Sequence, residues 1–305
     1  MTTAASLPTP AHQLSTTSTP STTTPSNDRN FQGLPIPRGP VTASLSFYAP
    51  PEDGSRPHNY VEPPTDGRPQ RNFGSAWHSV TLSDLRGQET NFNLDDNAFD
   101  TLSNIPSAEH DFTSESRIKE VYYPEVEALL LDRIPGAKRV LLFDHTIRRS
   151  NPDAPRAPVT RVHIDQTPSS AAARVRHHLP LEADTLLQGR YRIINVWRPL
   201  NRGPVMGHPL AVADSATVRD EDLVGVEHRY PDRVGETAAV QFDEGQRWYY
   251  WSGMTGDERL LLKCFDSDEG VGGRGRVPHT AFVDPRTPEG AVGRESIEVR
   301  ALVFG

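Results

Sequence analysis

The chain has 305 residues, with 40 acidic side chains against 32 basic ones, a formal net charge of -8 and an apolar fraction of 35%. Such a surface repels phosphate backbones, which argues against a nucleic-acid partner, and no stretch reaches the ~20 apolar residues a membrane span needs. Cys264 is the only cysteine, so no intrachain disulfide forms, and Met1 to Thr19 lacks both the basic and the apolar parts of a secretory signal; a reducing, cytoplasmic setting is expected.

In chain order, Ser, Thr and Pro dominate up to about Pro40. Such composition buries too little surface to offset its ordering entropy, so residues 1–40 read as a disordered tail. Residues 41–305 read as one domain, with an N-terminal extension to 135 and a core from 136. A strand is expected at Ala43 to Tyr48. Ser116 to Asp132 is predicted helical, because Ile118, Val121, Val126, Leu129 and Leu130 recur near helical spacing and Pro135-Gly136 ends the run. Arg139 to Phe143 reads as a buried strand and Thr160 to Asp165 as another. A helix follows from Pro168 to about Gln188, interrupted at Pro180. From Arg190 the chain alternates, placing Tyr191, Ile193, Asn195 and Trp197 on one face. Pro209 to Ala213, Leu223 to Tyr230, Trp248 to Trp251, Leu260 to Phe265, His279 to Val283 and Ile297 to Phe304 are further strand candidates. Many short strands separated by turn signals predict a β-sandwich or jelly roll, and the helices beside it make the chain α+β.

The tripeptide His163-Ile164-Asp165 carries the chemistry. Side chains two apart on a strand share a face, so an imidazole and a carboxylate can bind one metal ion while Ile164 turns into the opposite layer. One more histidine completes a 2-His-1-carboxylate triad, which leaves positions open for a chelating 2-oxo acid and O2. His279, on a downstream strand candidate, is the preferred third ligand; His145, His177, His178, His208 and His228 compete with it. By itself the tripeptide also fits a solvated strand edge. Downstream, Arg294 and Ser296 stand two apart at the mouth of the last strand, where a guanidinium and a hydroxyl together suit a carboxylate. A surface ion pair of Arg294 with Glu295 or Glu298 is the bland alternative.

His163-Ile164-Asp165-Gln166-Thr167, Asn195-Val196-Trp197-Arg198-Pro199-Leu200, Lys263-Cys264-Phe265-Asp266-Ser267, Pro278-His279-Thr280-Ala281-Phe282 and the segment Arg294 to Ala301 resemble the fungal hydroxylase/desaturase family. That family is called AsaB-like and is related to the cephalosporin 7-alpha-methoxylase subunit CmcJ. The resemblance runs from about Val41 to the C-terminus. It implies a double-stranded β-helix (jelly roll) and an oxygenase using Fe(II), 2-oxoglutarate and O2, with His163, Asp165 and His279 on the metal and Arg294 and Ser296 on the distal carboxylate of 2-oxoglutarate. The activity implied is hydroxylation, desaturation or oxidative ring closure, including aziridine formation, of a small molecule in secondary metabolism.

Around this set, Asn195 is a candidate for hydrogen bonding to the co-substrate, and Trp197, Arg198 and Arg190 are candidates for the substrate pocket. Trp248 to Trp251 reads as core, Cys264 as a buried inert thiol and Gly272 to Gly275 as a lid ahead of His279. A cupin-like metal enzyme without 2-oxoglutarate and a non-catalytic binding sandwich are the competing functions. Oligomeric state is not legible in the chain.

Overall fold

Fourteen strands and five α-helices make up the described residues, 33–150 and 154–305, of the computed structural model. Most of the expected tail, 1–32, lies outside the described residues; at the end of that stretch Arg38 Nη1 donates to the Ser252 carbonyl (2.6 Å) and Gly39 N donates to Asp84 (2.8 Å). In chain order the first strands are β1 (Val41–Ala49), β2 (His58–Tyr60), β3 (Gly74–Asp84), β4 (Phe99–Leu102), β5 (Arg139–Arg149), β6 (His163–Ile164) and β7 (Tyr191–Pro199). Then come β8 (Leu210–Ala213), β9 (Leu223–Arg229), β10 (Val234–Val240), β11 (Trp248–Tyr250), β12 (Arg259–Asp266), β13 (His279–Ala281) and β14 (Glu295–Phe304). The helices are α1 (Leu94–Asn97), α2 (Glu115–Arg117), α3 (Tyr123–Arg133), α4 (Pro168–His178) and α5 (Ala183–Leu186).

The strands form a nine-stranded sheet in the order β1-β3-β11-β8-β13-β6-β10-β9-β2 and a five-stranded sheet in the order β4-β12-β7-β14-β5. The larger sheet is mixed, with β11 parallel to β3 and β2 parallel to β9. It also curls on itself: Ser46 of β1 bridges Arg161 just ahead of β6, and Val162 N donates to the Ser46 carbonyl at 2.8 Å. The curl encloses one apolar cluster, to which β1 contributes Leu45 and Phe47, β6 contributes Ile164, and β11 contributes Trp248 and Tyr250.

A second cluster lies between the sheets. It joins Ile193 and Trp197 of β7, Leu260 and Leu262 of β12 and Leu302 of β14 to Leu210 and Val212 of β8 and to Ala171 and Val175 of α4. The third covers the outer face of the small sheet, where Ile118, Tyr122, Val126 and Leu130 meet Ile194, Val196, Ile297 and Val299. All nine residues of β7 are therefore buried, with helix on one face and sheet on the other.

The helix expected at Ser116 to Asp132 runs continuously from α2 into α3, capped by Ser114 Oγ on Arg117 N. Pro124 lacks an N–H, and its ring crowds the carbonyl four residues back; the intervening turn, Ile118–Tyr122, is widened to π geometry, which relieves that clash. Gly136, at φ +75°, makes the left-handed turn that leads into β5. Helix α4 begins with a capping box between Thr167 and Ser170 and Pro168 in its first turn; it ends at His178, and Pro180 separates it from the short α5. Strands β2, β3, β4 and β10 are absent from the sequence-based reading. β2 is only three residues long, and Gly, Ser, Ala and Thr dilute the apolar alternation of β3 and β10. The strand expected at Thr160 to Asp165 shrinks to two residues flanked by the isolated bridge to β1.

Candidate metal centre and its surroundings

Strand register builds the site. His163 of β6 is the antiparallel partner of His279 of β13, and His279 in turn faces Val212 of β8. Cross-strand partners present their side chains on the same face, here the face toward the small sheet, while Ile164 turns into the curl of the large one. The two imidazoles lie with centroids 4.4 Å apart. Each ring has its Nδ1 against the carbonyl two residues upstream: His163 at 2.9 Å from Arg161 O, and His279 at 3.2 Å from Val277 O. A carbonyl only accepts, so these contacts assign the proton to Nδ1 and leave Nε2 as a free lone pair toward the cavity. Asp165 Oδ1 lies 3.4 Å from His163 Nε2, and one donor atom from each of His163, Asp165 and His279 falls within 4.8 Å of the others.

The second oxygen of Asp165 is taken. Oδ2 accepts from Asn195 Nδ2 at 2.8 Å and from Arg300 Nε at 3.1 Å. Burial alone would raise the Asp165 carboxyl, but the Arg300 charge, helped by the His163 contact, holds it well below the usual carboxylate range. Burial, reinforced by His163, pushes His279 down to about 4, so the imidazole is neutral and ligand-competent at physiological pH.

Alternation along β14 supplies the other wall. Arg294, just ahead of the strand, and Ser296, Glu298 and Arg300 on it all line the same cavity as the three ligand candidates, while Ile297, Val299 and Ala301 face the helix layer. Across to β5, Ser296 pairs with Arg148 and Glu298 with Thr146; across to β7, Glu298 pairs with Trp197 and Arg300 with Asn195. Arg300 is the hub, bonding Glu298, Asp144 and Thr146 as well as Asp165. Arg294 is 2% exposed; its Nη1 donates to the His208 carbonyl at 2.9 Å and its guanidinium lies 5.5 Å from the Trp197 ring centroid. Its Nε has no partner among the described residues. Burial, then the neighbouring Arg148 charge, brings this guanidinium down to about 9. Val159 and Leu210 add apolar surface to the cavity.

The structure thus brings together His163, Asp165, His279, Arg294, Ser296 and Trp197, with Asn195 behind Asp165. Three of the candidates stand off the cavity lining. Asn195 aims its amide at the Asp165 carboxylate rather than at open cavity, because β7 carries it directly beneath that side chain. Arg198 and Arg190 do not reach the cavity. Arg198 has the opposite parity on β7 and packs over the Phe112 and Tyr122 rings, donating to the Gly256 carbonyl; Arg190 lies just before β7, paired with the Asp266 carboxylate at 2.6 Å.

The competing histidines are occupied elsewhere. His145 bonds Tyr123 and Glu115, His228 bonds Thr237, His177 and His178 end α4, and His208 presents its carbonyl to Arg294. Gly272 to Gly275 belong to a 3-10 segment, Glu269–Gly275, that packs on Ser215–Thr217 and does not line the cavity. Trp248, Tyr250, Trp251 and Cys264 are core residues, as expected. The sequence-based reading names Glu298 only as a surface ion-pair partner of Arg294 and does not single out Arg300, although extending the Arg294-x-Ser296 alternation by four residues places both in the site. Thr146 and Arg148 carry no such signal, because only the β5–β14 register aligns them.

A family model described as "Oxidoreductase/YMDC permease-like domain" matches residues 45–304; among the described residues no helix is long and apolar enough to cross a membrane. The chain is 38% identical to the hydroxylase/desaturase poxK of Penicillium oxalicum, over 95% of this chain and 99% of that protein. It is 46% identical to the hydroxylase/desaturase asaB of Aspergillus flavus over 41% of this chain and 60% of that protein. Among solved structures, the iron and alpha-ketoglutarate-dependent endoperoxidase NvfI superposes with a TM-score of 0.79 at 32% identity, covering 88% of this chain and 99% of that one.

Proposed function

The chain belongs to the fungal hydroxylase/desaturase family of Fe(II)/2-oxoglutarate-dependent oxygenases, and from that premise we propose that His163, Asp165 and His279 hold its iron while Arg294 and Ser296 hold the distal carboxylate of 2-oxoglutarate. The observation that carries this assignment is the convergence of the three donor atoms within 4.8 Å on a cavity that Arg294 and Ser296 also line. The donor set suits ferrous iron: two neutral imidazole nitrogens and one carboxylate oxygen leave sites open for co-substrate and O2. When bound, the iron with 2-oxoglutarate and O2 supplies the oxidising power to remove hydrogen from an unactivated C–H bond, the 2-oxo acid leaving as succinate and CO2.

The protein's own part is positioning. The Arg161 and Val277 carbonyls hold the two rings with Nε2 forward. Asn195 and Arg300 occupy Asp165 Oδ2, so the carboxylate offers the metal a single oxygen. Arg294, desolvated and lightly hydrogen-bonded, gains most by meeting an anion, whose charge returns the guanidinium toward its ordinary basicity. Trp197, Leu210 and Val159 keep bulk water from the reacting centre. We read the two sheets around this centre as a double-stranded β-helix and residues 41–305 as one oxygenase domain, acting in the cytoplasm by hydroxylating or desaturating a small molecule of fungal secondary metabolism. The all-antiparallel small sheet supports the fold part of that reading.

The test is anaerobic loading with Fe(II), then addition of 2-oxoglutarate and O2 with succinate as the readout. Wild type should bind one iron and form succinate slowly without substrate; His163→Ala and His279→Ala should each lose the iron while retaining their fold by circular dichroism. Iron retained in both variants would refute the ligand assignment, and iron bound with no succinate formed from 2-oxoglutarate would favour a cupin-like enzyme.

A further inference from the structure

Besides Arg294 and the Arg300 that pairs with Asp165, the cavity is lined by one more arginine, Arg148. Arg148 is the antiparallel partner of Ser296 across the β5–β14 pair, so its side chain rises beside the Ser296 hydroxyl on the same face, and it lines the same cavity as Arg294. The only hydrogen bond of its side chain among the described residues runs from Nη1 to the Ala157 carbonyl, at 2.9 Å. That bond fixes the guanidinium by one corner and leaves Nε and Nη2 to donate elsewhere. Arg294 is held the same way, by Nη1 on the His208 carbonyl, with a buried Nε unsatisfied.

Two guanidiniums anchored by one nitrogen each, on a desolvated face and close enough that Arg148 depresses the basicity of Arg294, form an arrangement that costs free energy until an anion enters. Glu298 is the carboxylate that partly offsets both, but its Oε1 accepts from Arg300 Nη2 at 2.6 Å, and Arg300 also holds Asp165 and Asp144. The acidic groups in the cavity are therefore already shared with a third arginine, and the pair Arg148–Arg294 lacks a carboxylate of its own.

We propose that Arg148 is a second co-substrate-binding arginine, which with Arg294 and Ser296 clamps the distal carboxylate of 2-oxoglutarate from the β5 side. This rests on the assignment of Arg294 and Ser296 above. It gives each oxygen of the carboxylate its own charged donor, with Ser296 between them, and it explains why the chain places a cation opposite Ser296, where a neutral residue would avoid repulsion with Arg294.

The experiment measures dissociation constants by anaerobic calorimetry on the Mn(II)-loaded protein, for 2-oxoglutarate and for 2-oxopentanoate, which has the same chain length and metal-chelating end but no distal carboxylate. Arg148→Met should weaken 2-oxoglutarate at least tenfold and leave 2-oxopentanoate within twofold, and Arg148→Lys should fall between Met and wild type. Arg294→Met serves as reference. If Arg294→Met loses 2-oxoglutarate while Arg148→Met binds it as wild type does, Arg148 is not part of the clamp and is free to serve a substrate anion instead. If neither variant changes 2-oxoglutarate binding, the co-substrate assignment itself fails. Equal losses for both acids in Arg148→Met would mark a general disturbance of the site and would also overturn the proposal. Should the Met variant fold poorly, the Lys variant decides by the same ratio of the two acids.

Discussion

Replacing Asn195 with Ala removes one of the two bonds that hold Asp165 Oδ2 and leaves Arg300 as its sole support. A hydrogen bond to a buried charged group contributes about 1.5–3 kcal/mol, and each ~1.4 kcal/mol is a tenfold change in affinity. Asn195→Ala should therefore weaken Fe(II) or Mn(II) binding roughly 10- to 100-fold, the range typical of groups that orient a metal ligand. Arg300→Met should do at least as much and should also destabilise the metal-free fold by about 3–5 kcal/mol, because it strands the Glu298 and Asp165 carboxylates without their shared cation. Since both residues act on the same oxygen, the double variant should depart from additivity by ~0.5–3 kcal/mol. Anaerobic competition against a chromophoric chelator gives the metal affinities, and thermal melts of metal-free protein give the stability arm. Metal affinity within twofold of wild type in both single variants, or strict additivity in the double, would refute the claim that these two side chains hold Asp165 for the metal.

Three further outcomes follow from the same geometry. Trp197→Leu removes the ring beneath Arg294; a desolvated cation–π contact contributes about 1–2 kcal/mol, so the 2-oxoglutarate KM should rise roughly 5- to 30-fold in the succinate assay, and an unchanged KM would place the guanidinium elsewhere. Arg198→Met should lower stability by ~1–3 kcal/mol, since it takes a cation from between the Phe112 and Tyr122 rings and removes one of the two donors, beside Arg259 Nη1, on the Gly256 carbonyl, yet 2-oxoglutarate and metal affinity should stay put; a loss of affinity with intact stability would return Arg198 to the substrate pocket. His279 has a folded value of about 4, below the ordinary 6.5, so the unfolded chain takes up the proton first and the stabilisation is complete above pH 6.5 and lost as pH falls toward 4. With His163, Asp165 and Arg300 facing the ring, the metal-free protein should lose up to about 3 kcal/mol over that window. His279→Gln should show a shallower decline in Tm from pH 7 to 4.5, and parallel curves would exclude His279 as the titrating group.

Much of the candidate site was legible because β-structure converts sequence parity into shared faces. His163 and Asp165, Asn195 and Trp197, and Arg294 and Ser296 are each two apart on one strand or at its end, and each pair lines or borders the same cavity. The same rule excludes Arg198 by parity alone, since it shares its face with Ile194 and Val196 in the helix-covered layer. The long helix was readable from Ile118, Val126 and Leu130, whose spacing of eight and four residues keeps them on one side.

What parity along one strand does not contain is which strands become neighbours. The pairing of His163 with His279, 116 residues apart, the alignment of Arg148 with Ser296, 148 residues apart, and the placement of Asn195 beneath Asp165 all depend on strand order and register. These are set by the collective burial of Leu210, Val212, Trp197 and their neighbours between the sheets. No local preference encodes that alignment, because a shift of a single residue in either partner leaves each strand's own pattern intact while turning the site's side chains to the wrong face. The chain by itself therefore determined which pairs of candidate side chains share a face, and the packed sheets alone decided which of those faces meet.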